Sequence, residues 1–164
     1  MYKRQLSNFA ATAFTLDKIR YESVEGFWQM MKFPENSKDI RHPEAIKTPY
    51  SRNSVQKLTA FKAKEAGDAG NKIMKTLKIN WVTYQSKKMT YRTSKKLTHY
   101  HLIKRAMRAK LQQNPKVKKV LQSTGELTLL PDHHTFKNPP PAWEYYKIWM
   151  ELREEFREDL KKLK

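Results

Sequence analysis

Apolar residues recur at helical spacing along most of the chain, and this spacing predicts helices separated by breaks at proline and glycine. Val24, Phe27 and Met31 form one stripe, ended by Pro34 because the residue before a proline is pushed out of the α region. Val55, Leu58 and Phe61 begin a second helix expected to stop near Gly67, glycine being a favoured C-terminal cap. Ile73, Met74 and Leu77 predict another short helix before Trp81, and residues 81 to 94 carry no decisive period. Tyr100, Ile103, Met107 and Leu111 give the clearest period of the middle region, which stops at Asn114-Pro115. Val117, Val120 and Leu121 add a further turn or two, closed by Thr124-Gly125. After the apolar run Leu127 to Leu130 and a proline-rich loop ending at Pro141, the positions Tyr145, Trp149, Leu152, Phe156, Leu160 and Leu163 define a long amphipathic helix that closes the core.

The period changes to two near the N-terminus. Phe14-Thr-Leu16 and Ile19-Arg-Tyr21 flank Asp17-Lys18, which predicts a hairpin with Leu16 opposite Ile19 and Phe14 opposite Tyr21. The stretch from Pro34 to Ser54, with three prolines, reads as an irregular loop long enough for a lid or flap. These elements predict a mainly α, single-domain orthogonal helical fold over residues 1–164, with a small N-terminal β-hairpin.

Composition narrows the function. A chain of 164 residues fits one domain with a real core. It has no apolar run long enough to span a bilayer and no signal-peptide pattern, so a soluble, cytoplasmic protein with no membrane partner is expected. The absence of cysteine excludes disulfides, thiolate nucleophiles and cysteine-based zinc sites. The net charge of +18 is unevenly spread: from Trp143 onward six acids balance six bases, whereas no acid occurs between Asp68 and Glu126. Fifteen lysines and arginines accumulate in that acid-free stretch, and a field of this kind attracts polyanions. Lys95, Lys96, Lys104, Arg105 and Arg108 are the candidate nucleic-acid or phosphate-binding residues. The acids of the last helix, including Glu151, Glu154 and Glu155, are expected to form a solvated face.

The least expected side chains lie between Ser23 and Pro34. On a helix Glu25, Gln29 and Lys32 fall within roughly 60° of arc beside the Val24-Phe27-Met31 stripe, with Trp28 at the border. Spacing alone leaves two readings open: a solvated polar edge of a core helix, or an acid, an amide and an amine assembled for a reaction. Only four glycines are present, too few for a phosphate-cradling loop. His99-x-His101 and His133-His134 read as surface or loop residues; no metal and no cofactor is expected. Tyr84, Tyr91 and Tyr100 alternate with lysines and suit either base stacking or a core. Asp132, isolated among basic residues, is a candidate to pair with Glu25 across a cleft, the carboxylate arrangement that glycosidic-bond cleavage uses.

Ordered blocks add a resemblance. Leu6-Ser-Asn-Phe-Ala10, Phe14-Thr-Leu-Asp17, Tyr21-Glu-Ser-Val-Glu25, Phe27-Trp-Gln29 and Lys32-Phe33 resemble the N-terminal signature of the YbiA-like (NADAR) family of N-glycosidases. Ala106-Met-Arg-Ala-Lys-Leu111, Ser123-Thr-Gly125 and Met150-Glu-Leu-Arg153 resemble its later blocks in the same order. The resemblance implies a compact helical hydrolase that cleaves the bond between a ribose and a base. Its substrates are ADP-ribose on guanine, free or in nucleic acid, or phosphoribosylamino-pyrimidine intermediates of riboflavin synthesis. It also implies that Lys32 attacks the anomeric carbon, that Glu25 shuttles the proton or activates water, and that Asn8, Phe9, Trp28, Gln29 and Trp81 hold the substrate. Asp132 stands where the family carries its late acid, although here two histidines follow it in place of the family's Trp-Gly loop. A non-catalytic, basic nucleic-acid-binding protein is the alternative from another functional class.

Overall fold

The structure, a computed structural model, describes residues 2–131 and 137–162. A 3-10 helix, Tyr2–Leu6, leads to the hairpin β1 (Phe14–Leu16) and β2 (Ile19–Tyr21) and then to α1 (Val24–Met30). Two one-turn helices follow, α2 (His42–Ala45) and α3 (Arg52–Val55), before the long α4 (Ala60–Thr76). A second hairpin, β3 (Trp81–Tyr84) and β4 (Lys87–Thr90), precedes α5 (Thr98–Gln113), α6 (Pro115–Ser123) and α7 (Tyr145–Lys162). The fold is mainly α with two small antiparallel sheets. Among the described residues no helix is long and apolar enough to cross a membrane.

The first hairpin has the expected register, Phe14 opposite Tyr21 and Leu16 opposite Ile19. Its turn residues Asp17 and Lys18 both have positive φ, the mirror-image turn whose twist matches paired strands. The second hairpin occupies the stretch that has no decisive period. Its turn, Gln85-Ser86, also has positive φ at both residues but lacks the glycine or asparagine that normally announces such a turn.

Two expectations are corrected. The region from Val55 to Leu77 is not two helices broken at Gly67. A one-turn α3 is followed by one 17-residue helix, α4, which runs through both Gly67 and Gly70. Those glycines are there for close approach: a Cβ at Gly67 would overlap the Gln29 carboxamide, and one at Gly70 would lie 2.8 Å from Lys32 Cβ. Nor is the Pro34 to Ser54 segment a free flap. The last carbonyls of α1 have no intrahelical donors, and two arginines from this segment supply them. Arg41 is fully buried and donates to Met31 O at 2.9 Å, to Thr83 Oγ1 at 2.6 Å and to Asp39 at 2.6 Å. Arg52 donates to Phe33 O at 2.9 Å, Met30 O at 3.2 Å and Thr83 O at 2.8 Å. Both cations also sit where the negative end of the helix dipole favours them.

The core lies where α1 packs on α4 and α5, with Val24, Phe27, Met30, Met31 and Phe33 all buried. α5 is the central strut, touching β1, α1, α6 and α7.

Candidate active site

Ser23 fixes the start of α1. Its Oγ accepts from Gly26 N at 2.9 Å and donates to Leu58 O at 2.9 Å, so the helix begins where its first turn carries Glu25. Gly26 permits this, because a Cβ there would meet Leu58 O at 2.5 Å. The row expected from spacing is present but is not a solvated edge. Glu25, Gln29 and Lys32 are 8%, 7% and 4% exposed. Gln29 Nε2 donates to Glu25 Oε1 at 2.7 Å, and Lys32 Nζ donates to Gly67 O at 3.4 Å while lying 5.7 Å from the centre of the Trp28 ring.

Burial sets the protonation of this row. Desolvation raises the Glu25 carboxyl above the usual carboxylate range, opposed by the Gln29 hydrogen bond and the charge of Lys32. Desolvation likewise lowers the Lys32 ammonium to about 8, opposed by Glu25 and Asp68 and assisted by Arg92 and Lys64. At pH 7 roughly a tenth of the molecules then carry a free Lys32 amine, some two hundred times the fraction for an ordinary lysine. A carboxyl shifted toward its protonated form and an amine shifted toward its free form are the pair that acid and nucleophilic chemistry requires.

The N-terminal segment forms one wall. Glu25 N donates to Asn8 O at 3.0 Å, and Phe9 packs edge-on against Phe61 with centroids 5.5 Å apart. This segment is itself tied down from below: Lys110 Nζ donates to Ser7 O at 2.8 Å and Trp149 Nε1 to Leu6 O at 2.6 Å. The Lys32 end of the row meets aromatic rings. The Trp28 ring lies 4.3 Å from His99 and 5.3 Å from Tyr91. The buried polar atoms without a hydrogen-bond partner include Gln29 Oε1 in the row, Asn8 Oδ1 in the N-terminal segment and His99 Nε2 beside Trp28. Each such atom costs about 1–3 kcal/mol unless a ligand or water meets it.

The remaining sequence candidates are spread out. Trp81 carries Lys88 at 4.3 Å and Arg41 at 4.9 Å on its ring, beside the arginine clasp. Asp132 lies outside the described residues. Of the five basic candidates, Lys96 pairs with Glu151 at 2.5 Å, Lys104 with Glu151 at 2.7 Å and Glu155 at 2.8 Å, Arg108 with Glu155 at 2.6 Å, and Arg105 with Asp17 at 2.7 Å. Lys95 is exposed. The acids of α7 are therefore not simply a solvated face: Glu151 and Glu155 pair with cations of α5 and link the two helices.

Two residues that the sequence reading did not place in the site lie beside the row, one of them a histidine it read as surface or loop. His99 is buried against Trp28 rather than on the surface, and its helical offset from Tyr100 and Ile103 was the available signal. Asp68 follows Gly67 on α4, pairs with Lys64 at 3.2 Å and is close enough to shift both Glu25 and Lys32. Small residues at Gly67 and Gly70, one helical turn apart, mark the face of α4 that α1 approaches.

No protein-family model and no curated protein matches the sequence. Among solved structures, the fold is similar to the NMR structure of the Escherichia coli protein YbiA. That match has a TM-score of 0.58 and 17% sequence identity, covering 98% of this chain and 80% of that one. The likeness extends through the whole architecture, and the chain has a YbiA-like fold.

Proposed function

We propose that the chain is an N-glycosidase that hydrolyses the bond between a phosphorylated ribose and a base. The observation that carries this reading is the buried Lys32 amine, which desolvation lowers to about 8, in one row with a buried Glu25 carboxyl that desolvation raises above its ordinary value, within a YbiA-like fold. Lys32 Nζ attacks the anomeric carbon; the bond to the base breaks, and the base leaves with the electron pair and the proton that Glu25 carries. The sugar ring opens as Lys32 Nζ gives up a proton to the ring oxygen, leaving a Schiff base. Glu25, now ionised, takes a proton from water, whose oxygen adds to the anomeric carbon and releases the lysine. The balance is one water consumed, one free base and one free sugar formed. The roles of Asn8, Phe9, Trp28 and Gln29 in holding substrate, and any role of Trp81 and Asp132, belong to the same proposal.

ADP-ribose on guanine, within nucleic acid or free, is the preferred substrate over a riboflavin intermediate. The net charge of +18 persists even though Lys96, Lys104, Arg105 and Arg108 have partners, and Lys72, Lys75, Lys78, Lys87, Lys88 and Lys95 all remain exposed. Borohydride reduction during turnover tests the mechanism: an adduct on Lys32 supports it, and full turnover with no adduct shifts the attack to a Glu25-activated water. Release of pyrimidine from the aminouracil ribosylamine, without release of ADP-ribose from modified guanine, reverses the substrate order. The exposed cations favour one further reading, a nucleic-acid-binding protein without catalysis, which a Lys32→Ala variant with unchanged biological activity would establish.

A further inference from the structure

Phe61 is 77% exposed, the most exposed of the large apolar side chains among the described residues and the one aromatic ring in that exposed set. It is the second residue of α4, where burial gives it nothing and an exposed lysine or glutamate would suit the helix as well. The backbone just before it is strained: Ala60 has a φ of +50°, in the left-handed region, and Thr59 at the helix start makes no side-chain cap. This turn is docked on the candidate site. Leu58 O accepts from Ser23 Oγ at 2.9 Å, and Phe9 meets the Phe61 ring edge-on with centroids 5.5 Å apart. Asn8, next to Phe9, accepts from Glu25 N through its carbonyl at 3.0 Å. Along α4, Phe61, Lys64 and Asp68 share one face at i, i+3 and i+7, and Lys64 and Asp68 are exposed charges that both Glu25 and Lys32 feel. Phe61 therefore stands in solvent on the face of α4 that borders the row, at its Glu25 end.

We infer that Phe61 is a stacking platform for a nucleobase of single-stranded nucleic acid, braced by Phe9 and set at the Glu25 end of the row. The occupant rests on the nucleic-acid arm of the proposed function, whereas the free ring rests on the geometry alone. A protein interface sets such a ring within an apolar patch. Here the chain neighbours Lys57, Lys62, Lys64 and Glu65 are all exposed and charged, and of the acids on this surface Asp68 is paired with Lys64 at 3.2 Å. A lone aromatic among lysines is the pattern that single strands use: the net charge of +18 attracts the backbone, and the ring holds a base, since every base has a flat π-face. Glu25 and Lys32 are themselves buried, so the stacked base is one that stays outside the row. The platform anchors the strand beside the nucleotide that enters. An uncharged ring adds nothing to phosphate binding, so its part in recognition separates cleanly from that of the lysines.

The test titrates the native protein with a thymidine oligonucleotide of about ten residues and with an abasic strand of the same length and charge, neither of which can be turned over. The base-bearing strand is expected to bind at least ~5-fold tighter than the abasic one, the least that one stacked base supplies. Phe61→Ala should remove most of that advantage while leaving abasic affinity and the melting temperature unchanged. Phe61→Trp should keep the advantage, and the fluorescence it adds over the native protein should be quenched by the thymidine strand and not by the abasic one. Three results overturn the platform: no advantage of bases in the native protein, thymidine-strand affinity unchanged in Phe61→Ala, or an equal loss for both strands. The second of these would leave the ring to a protein partner. Base-dependent binding that needs Phe61, in a protein that turns over no ribosyl substrate, would sink the glycosidase and keep the platform. Turnover by a protein whose strand binding ignores Phe61 would do the reverse.

Discussion

Two lysines among the described residues are buried without a carboxylate at contact distance, and they differ in use. Lys32 reaches into the site, and Lys110, fully buried, holds the N-terminal segment through Ser7. Desolvation brings Lys110 down to about 7 from an ordinary 10.5. Its unfolded form binds a proton that the folded form releases between these two values, so folding stability rises with pH across that window and the gain is lost on going below pH 7. A Lys110→Met protein lacks this slope. Its stability relative to wild type should be greatest near pH 6 and fall by up to a few kcal/mol toward pH 10, as read from urea midpoints at several pH values. For Lys32 the same physics appears in rate. The kcat/KM of the proposed glycosidase reaction should climb with pH through about 8 as the amine loses its proton, and Lys32→Ala should lower it by about three orders of magnitude or more. A flat profile between about pH 6 and 9 would remove Lys32 as the nucleophile.

At the scale of elements, α1 and α4 define the site through what they lack as much as what they carry. Glycine to alanine in a helix ordinarily stabilises by about 1 kcal/mol. At Gly67 it should instead cost about 1–3 kcal/mol, because the new Cβ enters the space of Gln29 and pushes the two helices apart, and it should also reduce turnover. Gly125→Ala serves as the control: nothing lies within 4 Å, and only its φ of +51° carries a cost, about 1 kcal/mol in stability, with activity retained. Chemical denaturation with parallel assays separates the two. This pair also explains what the sequence makes legible. The row Glu25-Gln29-Lys32 is readable because helical geometry alone aligns it, as is the first hairpin, because its hydrophobic pairs face each other across two residues. The second hairpin is hidden because Gln85-Ser86 carries none of the usual turn chemistry. The continuity of α4 is hidden too, because a glycine that serves close packing looks identical in sequence to one that caps a helix. The arginine clasp over the end of α1 joins residues 10 to 42 positions apart, a distance no local pattern spans. Arg41→Ala should cost about 3–5 kcal/mol, since it removes a fully buried guanidinium that pairs with the half-buried Asp39, donates to Thr83 Oγ1 and is one of two donors to the Met31 carbonyl.

Across the whole molecule, charge is held in two ways. On one side Glu151 and Glu155 of α7 pair with Lys96, Lys104 and Arg108 of α5 and the loop before it. Burial works against ionisation of Glu151, but hydrogen bonds from Lys104, Lys96 and Tyr100 prevail and hold it at about 2. Its contribution to stability is present above the ordinary carboxylate range and is lost as pH falls toward 2. On α4, β4 and the loop at Lys95 the cations are exposed. Replacing Glu151 and Glu155 by glutamine should therefore raise affinity for duplex DNA and steepen its salt dependence, since up to about three more cations become available to displace counterions. Filter binding at about 50 and 200 mM salt measures both effects. The charge excess is legible from the sequence, whereas its division into paired and unpaired cations is not, because the acids that neutralise this stretch lie 47 to 88 positions away in the chain.

The hairpin turns hold a reserve. Asp17, Lys18, Gln85 and Ser86 all sit at positive φ without being glycine, a conformation that costs most side chains energy. Asp17 offsets this through its side chain, which bonds Arg105 and Tyr84. In the exposed Gln85-Ser86 pair the firmest tie is instead a backbone one, Ser86 N donating to Glu35 at 2.8 Å, and any residue with an amide N–H keeps it. Rewriting that pair as Asn-Gly would relax the strain at an exposed turn that carries none of the row's side chains, giving a sturdier parent in which damaging substitutions around Glu25 and Lys32 can be made and still yield folded protein.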